Sequence, residues 1–211
     1  RRLGRRGQGP EEFVDPAVVL TGPGDSLHVY DVSMGRRSIV SPSWRVVRTA
    51  PHPAVGRYGL VLDDGALVFN SVGMQPSTVG IPFQIIDPAG RLRAVFGGDF
   101  PIRSSQDVNR LQRILGRGRE GIWAADHHGY RLALWSSAGK LLREFVRTNA
   151  LFRPGEEFRI SAAPDTPPRI TSIQEDSTGR LWITIQVPAP RPQWDAALGS
   201  PRTNARGRVY Y

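Results

Sequence analysis

Two aspartate–arginine pairs at identical spacing are the groups in this chain that first invite a chemical reading. Asp31 and Arg36 stand in Leu27-His-Val-Tyr-Asp31-Val-Ser-Met-Gly-Arg36-Arg-Ser-Ile-Val40, and Asp126 and Arg131 in Ile122-Trp-Ala-Ala-Asp126-His-His-Gly-Tyr-Arg131-Leu-Ala-Leu-Trp135. Such groups could hold a polar ligand on a binding face. They could equally close a hairpin as an ion pair, a partly exposed contact that contributes up to ~1 kcal/mol. Recurrence favours the hairpin, because chemistry at a unique site seldom repeats with its scaffold. Asn70 comes at nearly the same strand position as the two aspartates. His127-His128 is the one adjacent pair of histidines. Neighbours on an extended chain point to opposite faces, so these two are not expected to chelate one ion unaided. A metal site would need ligands from other segments, such as His28. Trp194 lies in a proline-rich stretch where a partner contact is plausible. The candidate ligand-binding residues are therefore Asp31, Asn70, Asp126, His127, His128 and Trp194.

Other chemistry is thinly represented. Glu11-Glu12 and Glu156-Glu157 are paired carboxylates without a nearby base, and loop geometry accounts for them better than acid–base work. The glycine-rich run 4–10 lacks the Lys-Ser/Thr ending of a phosphate loop. Neither Gly-x-Ser-x-Gly nor His-Glu-x-x-His is present. No catalytic residue and no cofactor are predicted.

The elements that must position these residues repeat. Four segments, about 13–50, 56–97, 108–147 and 169–211, share one plan of alternating apolar runs separated by turn residues. Asp63-Asp-Gly65 is a hairpin signal. Gly90 and Gly139 take equivalent places in the hairpins 85–96 and 134–145. The start of the third segment, 108–115, could be helical by pattern, but the repeat register argues for a strand. Trp44, Trp123, Trp135 and Trp182 fall on predicted strands and are expected to pack between repeats. The fourth segment is interrupted at 188–206. A period of roughly 40–50 residues with four strands per copy is the mark of a β-propeller. A sandwich would not repeat one turn chemistry at one point of every copy.

Composition narrows the functional classes. The 211 residues include 23 Gly and 18 Pro, as many short strands require. No run approaches the ~18 apolar residues of a membrane helix. Arg1-Arg2 is not followed by the apolar stretch of an export signal, and Arg1 and Tyr211 read as cut ends within a longer protein. The formal charge is +9, but among 28 basic residues Lys140 is the single lysine. The arginines are scattered over every segment, which disfavours a nucleic-acid surface. Zero cysteines exclude a disulfide framework and a thiolate metal site.

The segment Gly121 to Gly139 resembles an NHL-type propeller repeat. Leu3-Gly-Arg-Arg-Gly-Gln-Gly-Pro-Glu-Glu-Phe13 is similar to the blade junction of bacterial six-bladed propellers, echoed by Pro154-Gly-Glu-Glu-Phe158. The resemblance implies an all-β, six-bladed, NHL-like propeller, here incomplete at about four blades, with two blade faces left bare. It also implies an exported protein, periplasmic or at the cell surface. The second and fourth segments depart from the pattern, with Ser71, Pro82 and Ile185 where the charged pair would stand. The favoured function is a non-catalytic scaffold binding a protein, glycan or small ligand on its loop-bearing face. The alternative is a lactonase, lyase or hydrolase with a divalent ion, calcium above all, at the central channel.

Overall fold

The computed structural model describes residues 3–52, 58–70, 81–98, 107, 111–148, 152, 168–187, 194–195 and 200–201. A short parallel pair, β1 (Arg5–Arg6) and β2 (Glu12–Phe13), precedes the first sheet. That sheet runs in chain order through β3 (Pro16–Thr21), β4 (Leu27–Asp31), β5 (Arg36–Val40) and β6 (Val46–Pro51), all antiparallel. The second contains β7 (Tyr58–Val61), β8 (Leu67–Asn70), β9 (Phe83–Ile86) and β10 (Leu92–Phe96). The third contains β11 (Arg113–Arg117), β12 (Ile122–Asp126), β13 (Arg131–Trp135) and β14 (Leu141–Val146). Of the fourth, β15 (Arg169–Glu175) pairs with β16 (Leu181–Gln186). A two-residue pair, β17 (Trp194–Asp195) with β18 (Ser200–Pro201), follows.

The middle strands are apolar on both faces, which dictates how the sheets assemble. Successive side chains of a strand point to opposite faces. In β8, Leu67 and Phe69 share a core with Tyr30, Val18 and Leu20 of the first sheet. Val68, between them, packs with Ile122 and Ala124 of the third. In β12, Trp123 and Ala125 turn the other way, onto Ile170 and Ile173 of β15. The second and third sheets are thus each covered on both sides by other sheets. The first strands come together, β7 with β3 and β11, and β11 with β15. The last strands lie outermost, and every residue of β14 is exposed. At the inner contact a Cβ on Gly116 would sit 2.0 Å from the Ile173 carbonyl oxygen, so only glycine lets β11 and β15 approach so closely.

The tryptophans divide by face. Trp123 is buried and its indole N–H donates to Glu175 Oε2 at 2.7 Å. Trp135 packs on Phe96, ring centres 5.2 Å apart. Trp182, at the matching position of β16, is 63 % exposed because its face of the strand points away from the third sheet. Trp44 is also exposed, in a turn and not on a strand.

One turn recurs. In 41–45, 62–66, 87–91, 136–140 and 176–180 the first residue donates its N–H to the carbonyl of the fifth. The fourth residue returns its N–H to the carbonyl of the first, and has φ near +65° to +89°. This is the three-residue hairpin loop that needs a left-handed residue before the bulge. Four copies use glycine: Gly65, Gly90, Gly139 and Gly179. The fifth uses Trp44 at φ 65°. Asp87, Ser136 and Asp176 reinforce their turns by accepting backbone N–H bonds from residues two and four places on. A left-handed non-glycine residue costs roughly 1–2 kcal/mol, so Trp44→Gly should raise stability by about 1 kcal/mol. Gly139→Ala, whose Cβ would meet Phe96 at 2.9 Å, should lower it by at least as much. Urea denaturation of the two variants beside the parent checks both signs.

The interface between the first two sheets holds buried titratable groups. His28 and His52 are each 2 % exposed, and both are pushed down to about 4, by burial first and by the Arg37 charge second. The unfolded chain takes up these protons near pH 6.5, the folded chain only near 4. Stability is therefore full above pH 6.5 and falls as the pH drops towards 4, by on the order of 3 kcal/mol per histidine at the bottom of that window. The urea midpoint should fall between pH 7.5 and 4.5, and His52→Leu should flatten the fall.

Candidate functional site

The turns β4–β5 and β12–β13, and the end of β8, lie at the same end of their sheets, and this rim carries five of the six predicted site residues. Asp31 closes β4, almost fully buried. Its Oδ1 accepts the N–H of Asp15 (3.1 Å) and of Met34 (3.2 Å), and its Oδ2 that of Val14 (2.7 Å). It therefore fastens the junction entering β3 to the turn leaving β4. Arg36 lies opposite in register, yet no ion pair joins the two among the described residues. The Arg36 guanidinium donates instead to the carbonyls of Gln8 and Glu12. Backbone N–H groups reach the Asp31 carboxylate first, which corrects the expected Asp–Arg pairing.

Asn70 does the same work between sheets. Its Nδ2 donates to the carbonyls of Pro82 (2.8 Å) and Leu111 (3.0 Å), and its Oδ1 accepts the Arg113 N–H at 3.0 Å. Arg113 in turn pairs with Asp126, Nε to Oδ1 at 2.8 Å, because β11 and β12 set the two residues opposite each other. Asn70, Arg113 and Asp126 thus form one network across the second and third sheets. Arg131, the residue five places on, faces β14 and pairs with Glu144 at 2.7 Å. This second Asp–Arg expectation is corrected too: Arg113 takes the Asp126 carboxylate, and Arg131 reaches diagonally to Glu144, which stands opposite Ala133 in register. Burial pushes the Asp126 carboxyl up, with Arg113 and Arg131 opposing. Burial likewise lowers Arg113, against the pull of Asp126. Sequence reasoning missed Arg113, whose role follows only from the β11–β12 register.

His127 and His128 follow Asp126 in the turn. Their ring centres are 4.4 Å apart, so they touch. The chain stops being extended at Asp126, and the opposite-face expectation fails with it. His127 also receives the Ile170 N–H on its carbonyl at 2.9 Å, joining this turn to β15. His128 is held below its ordinary range by burial, with a Pro168 hydrogen bond opposing and the Arg169 charge adding to the drop. No group of three or more His, Cys, Asp or Glu able to hold a metal ion occurs among the described residues.

Trp194 belongs to β17, away from the rim turns in sequence; its side chain is outside the described residues, as are Glu156 and Glu157. Glu12 organises the junction, accepting from Gly9 N–H (2.9 Å) and pairing with Arg5 (2.6 Å). These contacts hold its carboxyl below the ordinary range, the Gly9 bond most of all. Beside it runs an open groove of about 550 Å³, lined by Leu3, Gly4, Arg5, Arg6, Phe13, Val14 and Pro16, which adjoins Asp31 through Val14.

Sheets of four antiparallel strands, stacked face to face with first strands innermost, define a β-propeller. A protein of Bacteroides fragilis described as exported shares the fold, with a TM-score of 0.52 and 14% identity over 66% of this chain and 39% of its own. Glutaminyl cyclase of Myxococcus xanthus gives 0.48 and 17%, over 80% of this chain and 66% of its own. Virginiamycin B lyase of Staphylococcus aureus gives 0.41 and 15%, over 82% and 55%. The chain therefore spans well under half the length of the Bacteroides protein. No protein-family model matches the chain, and no curated protein does. The fold is an all-β propeller.

Replacing Asp31 with Ala removes the acceptor from three partly buried backbone N–H groups, each worth roughly 1 kcal/mol or more when left without one. Asp31→Ala should cost about 3 kcal/mol in urea denaturation, and Asp31→Asn, which keeps one acceptor oxygen, distinctly less. A ligand-binding Asp31 would show the reverse, with stability little changed.

Proposed function

We propose that the chain is part of an exported, NHL-like, six-bladed propeller, periplasmic or at the cell surface, acting as a binding scaffold. Its rim of turns and the adjoining junction groove receive a protein, glycan or small ligand. One observation carries this reading. The polar atoms of Asp31 and Asn70 are engaged by backbone groups, and Asp126 by Arg113, so they hold the scaffold and do not present themselves to a substrate. Seven ion pairs on described arginines, Arg5–Glu12 and Arg117–Asp63 among them, also speak against a free polyanion surface.

The competing reading is a metal-dependent enzyme, and the contact of the His127 and His128 rings beside Asp126 favours it. Calcium takes six to eight oxygen ligands. Both oxygens of Asp31, Oδ1 of Asn70 and Oδ1 of Asp126 already hold N–H or guanidinium partners, and three residues fall short of that number, so this donor set does not fit calcium.

Thermal unfolding in 5 mM calcium and in excess chelator separates the two. The scaffold reading expects melting temperatures within about 1 °C of each other. A calcium-dependent rise abolished by Asp126→Ala would favour the enzyme.

A further inference from the structure

Arg37 lies between the first and second sheets, 1 % exposed. Its Nη1 donates to the Gly65 carbonyl at 3.2 Å and its Nη2 to the Pro88 carbonyl at 2.8 Å. Among the described residues no carboxylate pairs with it. A guanidinium has five N–H donors and stays charged at every pH the fold survives, and an unpaired buried charge is strongly unfavourable. Two neutral carbonyls leave that charge largely uncompensated.

The groups around it are neutral. Tyr30, opposite Arg37 in register and fully buried, has its phenol pushed up to about 12 by burial, with Arg37 opposing. The rings of His52 and Tyr30 are 4.9 Å apart and meet edge to face, and Phe69 of β8 packs on the far side of His52 at 5.7 Å. His28 stands two residues before Tyr30 on the same face. Among the described residues, both ring nitrogens of His52 and Nδ1 of His28 are buried without a hydrogen-bond partner, and the buried Tyr30 hydroxyl faces Arg37. Such groups are normally satisfied, and each exception calls for a ligand, an ion or a water.

A fixed positive charge, a phenol O–H and an imidazole N–H are donors that suit an anion. Tyr30, Arg37, His28 and His52 are all at most 2 % exposed, which leaves no path for a phosphate or an organic carboxylate. We propose that one chloride-sized monovalent anion binds among Arg37, Tyr30 and His52, entering as the first two sheets close. It neutralises Arg37 and accepts from the Tyr30 hydroxyl and a His52 ring N–H. The anion thus acts as a structural ligand that locks one blade to the next.

The test compares thermal unfolding in sodium chloride and sodium gluconate at equal ionic strength and pH 7.5. With a dissociation constant of about 10 mM, 0.2 M chloride would raise the folded-to-unfolded ratio roughly twentyfold. The melting temperature should therefore climb with chloride but not gluconate, and bromide should substitute. Tyr30→Phe and His52→Leu, which keep the packing, should lose most of the chloride dependence. Because Arg37→Met leaves the interface without its buried donor and is expected to fold poorly, anomalous scattering from crystals of the unaltered protein grown in bromide supplies a second readout, expected to place one bromide among Arg37, Tyr30 and His52. Equal melting in both salts, a chloride effect that persists unchanged in both variants and so belongs to the +9 surface, or no bromide at that place, would overturn the site.

Discussion

A sheet that is apolar on both faces cannot stand alone in water, and this constraint governs the whole molecule. β8 and β9 are buried along their full length, and alternation sends their side chains into two different cores. Burial of that kind, worth about 25 cal/mol per Å² of apolar surface, is available only if another sheet lies on each side. Face-to-face stacking then forces the first strands together and the last strands outward. The glycine at position 116 and the exposure of β14 are two ends of the same geometry.

Stacking by apolar faces fixes distance but not registration, and polar side chains at the rim supply the latter. Asn70 reaches from the second sheet to the entry of the third, and the His127 carbonyl reaches from the third to β15. Asp31 does so within the first sheet. Each is a short-range acceptor or donor at the end of a second strand, placed where the incoming chain turns to begin a first strand. These bonds recur at corresponding places of successive sheets because each sheet must be tied to the chain that enters a first strand.

Much of this was legible in the sequence. The strands 27–31, 83–86 and 92–96 follow from alternation, and the turns from the Asp63-Asp-Gly65 signal and the equivalent Gly90 and Gly139, all three glycines carrying positive φ. What could not be read was any contact set by register between strands far apart in sequence. Arg113 meets Asp126 only because β11 and β12 pair as they do, and Arg131 reaches Glu144 diagonally, two residues from its β14 register partner Val146. The pairing of His127 with His128 needed the knowledge that the chain ceases to be extended after Asp126. Trp123 and Trp182 occupy the same repeat position, yet one is buried and the other open, because burial belongs to the neighbouring sheet and not to the residue.

The recurring five-residue turn bears on the order in which the chain acquires structure. Closing so few residues is fast and loses little chain entropy. Asp87, Ser136 and Asp176 hold their turns with bonds entirely internal to them. Each turn is therefore encoded locally, while a hairpin apolar on both faces persists only once another sheet covers it. The turns set the register of each ribbon, and the cores between sheets, which join residues dozens of positions apart, make that register last.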